Sequence, residues 1–474
     1  MEDTLEVVNR ERPEGVIIQF GGQTPLNISR SLVDAGVPIL GTPVESIDRA
    51  SDRGQFSGLL RKLGLRQTRN AVAHHLGDAL AAAESIGYPV LMRPSFVLGG
   101  AKMEIVHDSA MLRKYWEELL VYCTKADVSI SESRPVLIDG FLANATEVDV
   151  DAICDGRDVY IAGIMEHIEQ AGIHSGDSAC SLPPHSLSAE MRRGLEEATR
   201  KLALELEVCG LMNVQYAVKD GDIYIIEVNP RASRTVPFVS KVTGVPVARY
   251  ATMVMLGKSL AEFGLDKPAA EPDFYGVKEA VFPFTRFLLP QATVSESGVP
   301  LSTVDAVLGP EMKSTGEVMG IDKDLDLAFA KSQLGAGSKV PLAGTAFISV
   351  KQKDHDHLQS IATTLHDLGF NIIATHGTAI AIRQWGIPVE AIKKVSEGRP
   401  HVVDMMVDKR VHLVINTPSG KSPRKDEVAI RTTALARGVP LITTIEAARA
   451  FVSAMRKLKN AGGISVKALQ DYHK

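Results

Sequence analysis

Short apolar runs alternate with a helix-like pattern at the start of the chain. Residues 16–20 and 37–40 are mostly aliphatic, and residues 26–35 between them repeat apolar side chains at helical spacing. Strand, helix and strand at this spacing favour a parallel sheet with a right-handed crossover. We therefore predict an α/β domain over residues 1–50. Its sheet is expected to be short, because few strands precede the next change of pattern.

A different pattern, with helices and longer strands in blocks, occupies residues 51–255. Helices are predicted at 52–63, 76–86 and 188–207. Helices and antiparallel strands that run in blocks are typical of an α+β domain. The predicted strands are 89–92, 103–106, 135–141, 147–154 and 159–165.

Two further units are expected after this region. Residues 256–340 carry helical stretches and a long polar connection near 290–303, which predict a helical linking domain with an exposed loop. Residues 341–474 return to strand and helix alternation, which predicts a second α/β unit. Its predicted strands are 345–350, 371–374 and 412–416, and its predicted helices are 354–368, 427–437 and 445–458.

Composition narrows the class of protein. The chain has 474 residues, 45% of them hydrophobic, which is enough for several cores. The net charge of -5 argues against a nucleic-acid partner. The four cysteines form no Cys-x-x-Cys pair, so neither zinc nor redox chemistry is indicated. The acidic opening and the lack of a long apolar run predict a cytoplasmic protein that does not span a membrane.

The strongest chemical signal is a predicted hairpin around the Asp220-Gly221 turn. Its polar face would carry one carboxylate and three amides: Asn213, Gln215, Glu227 and Asn229. A two-residue turn would set Gln215 against Ile226, whereas a three-residue connection with a bulge would set Gln215 against Glu227, and we expect the latter. Oxygen donors without His or Cys suit a hard cation such as Mg²⁺. The alternative is a solvated hairpin face.

Other polar segments flank this hairpin in sequence. Arg231 and Arg234 follow it and could neutralise a transferring phosphoryl group. The Gly99-Gly100 pair follows Arg93 and a strand, where backbone amides can approach phosphate oxygens. The polar run 166–178 follows the predicted strand and is interpreted as lining a pocket, with Glu169 and Asp177 as paired carboxylates facing a cationic ligand, or as a loop with a satisfied histidine.

Taken together, the motifs resemble the second synthetase unit of the carbamoyl phosphate synthetase large subunit, almost from end to end. The resemblance rests on Phe20-Gly-Gly-Gln-Thr-Pro, Asp52-Arg53, Arg93-Pro-Ser-Phe, the run from Met165 to Ser178, Glu227-Val-Asn-Pro-Arg and the run from Leu308 to Gly320. It implies an ATP-grasp fold that transfers the γ-phosphoryl group of ATP to carbamate, giving carbamoyl phosphate for pyrimidine and arginine synthesis. It further implies a glutaminase small subunit and a bicarbonate-phosphorylating half as partners.

The same resemblance assigns site residues by position. The residues implied to hold ATP are Arg53, Arg93, Gly99, Gly100, Asp139, Gly140, Leu142, Glu147, Gly172, Ile173, His174, Ser175, Gln215 and Glu227. Those implied to hold Mg²⁺ or Mn²⁺ are Gln215, Glu227 and Asn229, in agreement with the hairpin. Arg231 and Arg234 are implied to stabilise the transferring group.

The last unit resembles the methylglyoxal-synthase-like regulatory domain of the same enzymes. The residues implied to bind a nucleotide monophosphate are Ser349, Thr375, Thr378, Lys394, Asn416, Thr417 and Ser419. The residues implied to bind ornithine are Glu169, Asp177, Glu279 and Thr444.

Three departures from the family pattern accompany the resemblance. The first domain lacks its usual opening strand and glycine-rich turn, which gives a truncated pre-ATP-grasp domain. Ala101-Lys102 replaces the expected Arg-Ala order, and the connection 287–307 is longer than expected. Two alternatives stay open: another ATP-grasp ligase, such as a biotin-carboxylase relative, and a non-catalytic remnant with a regulatory or assembly role.

Overall fold

The computed structural model describes residues 1–97, 99–268, 270–288, 305–417 and 425–474. In this part of the chain the named strands form sheets of two, seven, five and four strands. The multidomain α/β and α+β class expected from the sequence is confirmed. The polar connection near 290–303 lies outside the described residues.

The first unit is the predicted strand, helix and strand, preceded by a helix that the pattern did not predict. Val16 pairs in parallel with Ile39, and the crossover helix packs apolar side chains under the two strands. Gln19 connects this unit to the next. Its side-chain nitrogen donates to Thr42 Oγ1 at 2.7 Å within the unit, and its side-chain oxygen accepts the amide of Leu211 at 2.9 Å. The elements are α1 (Glu2–Glu11), β1 (Val16–Ile17), α2 (Gln23–Asp34), β2 (Ile39–Leu40) and α3 (Val44–Ser51).

A small antiparallel sheet follows, in the strand order β3-β6-β4-β5. Asp52 begins the first helix of this region as its N-cap, because its carboxylate accepts the amide of Gln55 at 2.8 Å. The first strand and the last helix were not predicted. The elements are α4 (Arg53–Leu63), β3 (Asn70–Ala73), α5 (Leu76–Ile86), β4 (Val90–Pro94), β5 (Glu104–Val106), α6 (Ser109–Lys125) and β6 (Val136–Gly140).

The large sheet has seven antiparallel strands in the order β11-β10-β7-β8-β9-β12-β13. One face packs on α4 and α7, and the other packs on α8 and α9 and also carries the polar residues considered below. The elements are β7 (Thr146–Asp155), β8 (Val159–Gln170), β9 (Cys180–Leu182), α7 (Ala189–Glu205), β10 (Cys209–Lys219), β11 (Asp222–Asn229), α8 (Val236–Thr243), α9 (Val247–Met255), β12 (Tyr275–Val281), β13 (Gly316–Asp322) and α10 (Leu325–Gly335).

The expectation of a helical linking domain over residues 256–340 is wrong in its secondary structure. Two strands of this stretch, β12 and β13, pair with each other and complete the large sheet beside β9. The pattern was misleading because Lys278 and Glu279 are buried within β12, so the usual apolar alternation of a strand is absent.

The C-terminal unit is a five-stranded parallel sheet in the order β16-β15-β14-β17-β18. Its α15 packs on α10, and one continuous apolar cluster joins Ala328 and Phe329 of α10 to Phe451 of α15. The elements are β14 (Thr345–Ser349), α11 (His355–Asp367), β15 (Asn371–Thr375), α12 (His376–Arg383), β16 (Glu390–Ile392), α13 (Val402–Val407), β17 (Leu413–Asn416), α14 (Lys425–Arg437), β18 (Leu441–Ile442) and α15 (Ile445–Asn460). In the described residues, no helix is both long and apolar enough to cross a membrane.

Candidate active site

The β10–β11 hairpin has the register expected from the sequence. Gln215 lies opposite Glu227, and Asn213 lies opposite Asn229. The expected cause of this register was wrong. The turn has two residues, Asp220 and Gly221, both with positive φ. The extra residue is Ile226, a bulge in the middle of β11 that returns Glu227 to the polar face.

The bulge also changes which residues of β11 enter the core. Gln215 and Glu227 lie on the polar face, as expected, and Val214 and Val228 are buried on the opposite face. On the turn side of the bulge the parity is shifted, so Ile225 is buried at 3% exposure and Ile226 is not in the core. A uniform period of two could not predict that exchange.

Oxygen atoms converge at the bulged end of the hairpin. Gln215 donates its amide nitrogen to Ser175 Oγ at 2.8 Å, and Asn229 donates its own to Glu227 Oε1 at 3.0 Å. Because both amides use their nitrogen as the donor, their carbonyl oxygens remain as acceptors, and that of Asn229 accepts Arg231 Nη2 at 3.3 Å. One carboxylate with amide oxygens is a donor set that Mg²⁺ accepts when a substrate polyphosphate supplies further oxygens. The residues present therefore fit the predicted cation.

Two arginines approach this site differently. Arg231 donates to Asn229 Oδ1 at 3.3 Å, and burial lowers the pKa of its guanidinium while the Glu227 carboxylate raises it. Its Nε is buried and has no hydrogen-bond partner within the described residues. Arg234 lies 3.4 Å from Ser314 Oγ and 3.6 Å from the Glu317 carboxylate, and it is nearly half exposed. Both guanidiniums retain N–H groups for an incoming anion.

A second pair of arginines lies on the small-sheet side. Arg53 donates to Asp139 Oδ2 at 2.9 Å, and Arg93 Nε lies 3.8 Å from the same oxygen. Burial lowers the pKa of Arg53, while the charges of Asp139 and Glu227 raise it. Asp139 is therefore placed to hold two guanidiniums. The Gly140 amide donates to the carbonyl of Arg69 at 2.8 Å.

Buried ionisable residues lie beside the hairpin, on the neighbouring strands β7 and β8. His167 Nε2 is 2.8 Å from Asp149, and its Nδ1 is 3.5 Å from Glu147. Burial raises the pKa of Glu147 to about 7, and the nearby His167 opposes the shift. Glu147 also accepts the Gly172 amide at 3.4 Å. Asp149 and Asp151 were not predicted as part of the site, although acidic residues alternate along β7 from Glu147 onward and so share one face.

The polar run 166–178 is partly a strand, which corrects the interpretation of the whole run as a loop. Strand β8 continues to Gln170, and its polar side chains are buried against partners. The following turn brings His174 and Ser175 to the hairpin. The His174 amide donates to Gly309 O at 2.8 Å, and burial lowers the pKa of its imidazole. Lys278, which the sequence analysis missed, is 1% exposed and donates to Ser175 O at 3.0 Å.

The glycine pair lies between β4 and β5 and contacts the segment before β13. Gly99 O accepts the Met312 amide at 2.9 Å. A Cβ on Gly100 would lie 2.1 Å from Pro310 O, so this position requires glycine. The ammonium of Lys102 lies 5.5 Å from the ring centroid of Tyr122.

Of the four residues implied to bind ornithine, Glu169 and Glu279 have the same electrostatic character. Both are buried, and burial raises their pKa values to about 7 and about 8 respectively. The Glu169 charge raises the pKa of Glu279 further. Asp177 differs, because its two oxygens accept the amides of Lys313 and Ser314 at 2.8 and 2.9 Å. The charges of Glu169 and Glu279 are therefore close enough to interact, and the expected pairing of Glu169 with Asp177 around a cationic ligand stays a prediction.

Thr444 is the N-cap of α15, and its hydroxyl accepts the Ala447 amide at 3.3 Å. It is the member of the predicted ornithine set that the C-terminal unit supplies. Whether it meets the two buried glutamates remains a prediction.

The predicted effector residues gather at the carboxyl edge of the five-stranded sheet. Strands β14, β15 and β17 end at Ser349, Thr375 and Asn416, and Lys394 follows the end of β16. The Thr375 hydroxyl lies 3.2 Å from that of Ser349. This edge of an open parallel sheet is where ligands commonly bind.

Two of the predicted effector residues accept hydrogen bonds from backbone amides near the end of β14. Thr378 Oγ1 accepts the Val350 amide at 3.3 Å, and Thr417 Oγ1 accepts the Lys351 amide at 3.0 Å. Ser419 lies outside the described residues.

Three family models match successive parts of the chain. The carbamoyl phosphate synthase preATP-grasp domain matches residues 1–49. The carbamoyl-phosphate synthase L chain, ATP binding domain, matches residues 52–263, and the MGS-like domain matches residues 357–443. The order of the three is the order expected from the sequence.

Relatives match the whole chain. The carbamoyl phosphate synthase large chain of Archaeoglobus fulgidus is 52% identical over 473 residues, covering 100% of this chain and 42% of that protein. The carbamoyl phosphate synthase large chain, C-terminal section, of Aquifex aeolicus is 49% identical over 491 residues, covering 100% of this chain and 87% of that protein. This chain therefore spans less than half of the full-length large chain and most of the C-terminal section.

Solved structures share the fold at low sequence identity. The biotin carboxylase domain of the Hydrogenobacter thermophilus 2-oxoglutarate carboxylase, in complex with MgADP, ADP and bicarbonate, is 16% identical with a TM-score of 0.55, covering 70% of this chain and 76% of that chain. Biotin carboxylase from Campylobacter jejuni is 15% identical with a TM-score of 0.53, covering 70% of this chain and 77% of that chain.

Proposed function

This chain belongs to the carbamoyl phosphate synthase large-chain family, and from that premise we propose that it phosphorylates carbamate with ATP to give carbamoyl phosphate. One observation carries the proposal. The hairpin register sets Gln215 opposite Glu227, and the adjacent Asn229 is hydrogen-bonded to both Glu227 and Arg231. A single carboxylate, amide oxygens and a partly buried guanidinium form a suitable site for the transfer of a phosphoryl group.

The cation proposed for this site is Mg²⁺, with Mn²⁺ as the other candidate. Gln215, Glu227 and Asn229 would hold it, and when bound it would neutralise charge on the nucleotide phosphates. The MgADP in the Hydrogenobacter relative of the fold supports the same class of ligand here.

The side chains of this chain bind, orient and neutralise. Arg231 and Arg234 would offer N–H groups to the oxygens of the transferring phosphoryl group. Carbamate already carries a nucleophilic oxygen, so the reaction requires no activated serine or cysteine, only orientation and charge neutralisation. The P–O bond to ADP breaks as the bond to the carbamate oxygen forms, and no net proton transfer is needed.

The nucleotide itself would lie between the small sheet and the large sheet. Arg53 and Arg93, held together by Asp139, would face its phosphates, and the Gly99-Gly100 turn would cover them. Glu147 and the backbone of 172–175 would contact the remainder of the nucleotide, together with groups near Gly140 and Leu142. The clamp between two sheets is supported by the likeness to the biotin carboxylase fold.

We further propose that the chain acts within a larger enzyme. Its partners would be a glutaminase small subunit, which supplies ammonia, and a bicarbonate-phosphorylating half, which supplies carbamate. The name of the Aquifex relative, a C-terminal section, supports this division. The product would feed pyrimidine and arginine synthesis.

Regulation would act through two ligands. A nucleotide monophosphate would bind the carboxyl edge of the five-stranded sheet, where Thr375, Thr378, Lys394 and Thr417 supply hydroxyls and a cation. Ornithine would bind near Glu169 and Glu279, because two buried carboxylates with raised pKa values favour an ammonium group as partner.

The direct test of the complete activity uses the assembled enzyme. The chain is mixed with its small subunit and the other synthetase half, and carbamoyl phosphate is measured from glutamine, bicarbonate and MgATP. We expect product only when this chain is present. If the assembled, folded components hydrolyse glutamine and phosphorylate bicarbonate but release no carbamoyl phosphate, the non-catalytic alternative is correct.

A further inference from the structure

Arg431 of α14 is fully buried at the contact between the C-terminal unit and the rest of the chain. Its exposure is 0%, and its guanidinium forms a bidentate pair with Asp305, with Nε to Oδ1 at 2.7 Å and Nη2 to Oδ2 at 2.6 Å. Its Nη1 donates to Asn416 Oδ1 at 2.9 Å. A buried charge is retained only with good partners, and this fork geometry is the strongest that arginine offers.

Asp305 begins a ten-residue stretch, 305–314, that we call the bridge segment. Lys313 folds the segment back on itself, because its ammonium donates to Asp305 O at 3.0 Å. The far end is fixed by Asp177, whose carboxylate accepts the amides of Lys313 and Ser314. The segment is therefore held at both ends, by Arg431 at Asp305 and by Asp177 at Ser314.

Between its fixed ends the bridge segment contacts the proposed nucleotide site. Gly309 O accepts the His174 amide at 2.8 Å, and the Met312 amide donates to Gly99 O at 2.9 Å. Ser314 Oγ donates to Gly176 O at 3.1 Å and lies 3.4 Å from Arg234. Three of the proposed ATP or phosphoryl contacts thus depend on the position of one segment.

We propose that Arg431 is a positioning residue for the phosphoryl-transfer site, acting through Asp305 and the bridge segment. The inference rests on the proposed function for the identity of that site. In the described part of the chain, Arg431 has no hydrogen bond to the residues proposed to hold ATP or carbamate, although it does contact Asn416 of the predicted effector site. It fixes the end of the segment that carries Gly309, Met312 and Ser314, so its loss would loosen the contacts with His174, Gly99 and Arg234 together.

The chain offers a matched control at the same contact surface. Lys457 of α15 pairs with Asp324 at 2.7 Å, again joining the C-terminal unit to the rest of the chain, and this pair has no bond to the bridge segment. Arg431→Met and Lys457→Met each replace a cation by methionine. Only the first should disturb the site if positioning is the role of Arg431.

Two measurements on the 474-residue chain test the proposal. In the reverse reaction, carbamoyl phosphate plus MgADP giving ATP, Arg431→Met is expected to raise the KM for MgADP about 10-fold and lower kcat about 10-fold, whereas Lys457→Met changes neither by more than about 2-fold. A purely structural role would reduce the folded fraction and hence the apparent kcat, with the KM unchanged.

Amide hydrogen exchange gives a readout that does not need activity. The amides of His174, Met312 and Lys313 are expected to exchange at least about 10-fold faster in Arg431→Met than in the unmodified chain, and no faster in Lys457→Met. If the unmodified chain, assembled with its partner units, makes no ATP, the proposed function fails while the exchange result still decides the positioning role.

The single variant leaves Asp305 without its partner and could unfold. The double variant Arg431→Met with Asp305→Asn removes both charges of the bidentate pair and should show the same faster exchange and raised KM. The Glu427 carboxylate, 3.8 Å from Arg431 Nη1, loses a neighbouring cation equally in the single and the double variant. A folded double variant with unchanged exchange at His174 and Lys313 and an unchanged KM would overturn the proposal.

Discussion

Replacing Glu227 by glutamine is the sharpest single perturbation of the proposed cation site. The change removes the one formal charge among the three proposed ligands and keeps the size of the side chain. The bond from Asn229 Nδ2, 3.0 Å long to Glu227 Oε1, can still form to the glutamine carbonyl. The pairing of β10 with β11 is a backbone property and is unaffected. We therefore expect the fold to survive the substitution.

The expected effect on stability is small. Glu227 is only partly buried, and its hydrogen bond is retained, so the free energy of unfolding should change by less than about 1 kcal/mol. In a unit of this size that corresponds to a Tm shift of less than about 4 °C. The expected effect on catalysis is large. Loss of one preorganised electrostatic partner lowers kcat by about 100- to 1,000-fold, or about 2.7–4 kcal/mol of transition-state stabilisation.

The assay is ATP formation from carbamoyl phosphate and MgADP, run beside a thermal melt. Asp222→Asn is the matched control, because it removes a carboxylate from the same strand at the turn end, where Asp222 forms a largely exposed pair with Arg66. The control should keep activity within about 2-fold. A folded Glu227→Gln protein with unchanged turnover would refute the assignment of the cation site.

Three further predictions concern the glycine turn, a buried carboxyl and the effector edge. Gly100→Ala is expected to raise the Kd of a fluorescent ADP analogue at least about 10-fold, because its Cβ would lie 2.1 Å from a backbone oxygen. The raised pKa of Glu279, about 8 against an ordinary 4.5, means that the folded state binds the extra proton. Stability therefore falls as pH rises from 4.5 through 8, and Glu279→Gln should gain free energy of unfolding over the unmodified chain by up to about 1.4 kcal/mol per pH unit in that window. A nucleotide monophosphate is expected to protect the amides of Thr375–Thr378 from hydrogen exchange, and Lys394→Ala should raise the ligand concentration needed for the same protection by about 10-fold.

Each of these predictions has a control and a contradicting result. Gly99 also has a positive φ, but a Cβ added there would meet no atom closer than 3.7 Å. Gly99→Ala is therefore the control, and equal effects of the two substitutions would exclude the steric clash at Gly100 as the cause. The control for the pH dependence is Glu271→Gln, at an exposed position. If the free energy of unfolding of Glu279→Gln and that of the unmodified chain change equally with pH from pH 5 to pH 8, the raised pKa of Glu279 is contradicted. Lys393→Ala is the neighbouring control, and equal loss of protection in both lysine variants would argue against a specific role for Lys394.

The order of elements and the polar face of the hairpin could be predicted because both depend on local pattern. At Val16–Ile17, and again at Leu76–Ile86, the residues that indicate a strand, helix or turn lie within a few positions of the element itself. The register was also correct, since the four polar side chains on one face left few pairings. The bulge at Ile226 was not predictable, because its cause is the fit of Ile225 into a core formed by distant helices.

The errors share a physical cause, which is polar residues buried with partners far along the chain. The end of β8 was interpreted as a loop because His167 and Glu169 are polar, although His167 is satisfied by Asp149 eighteen residues earlier. Strand β12 was missed for a similar reason at Lys278. The Arg431–Asp305 pair joins residues 126 positions apart, and a local sequence pattern cannot predict such a contact.

³¹P nuclear magnetic resonance of the 474-residue chain with MgADP and carbamoyl phosphate follows the proposed phosphoryl transfer itself. The chain is studied alone and together with its partner units. We expect that carbamoyl phosphate is consumed while the γ-phosphate resonance of ATP grows, that chelation of the cation stops the reaction, and that Glu227→Gln slows it at least about 100-fold. If the folded, assembled protein binds MgADP and leaves carbamoyl phosphate unconsumed, phosphoryl transfer to and from carbamate is not its activity.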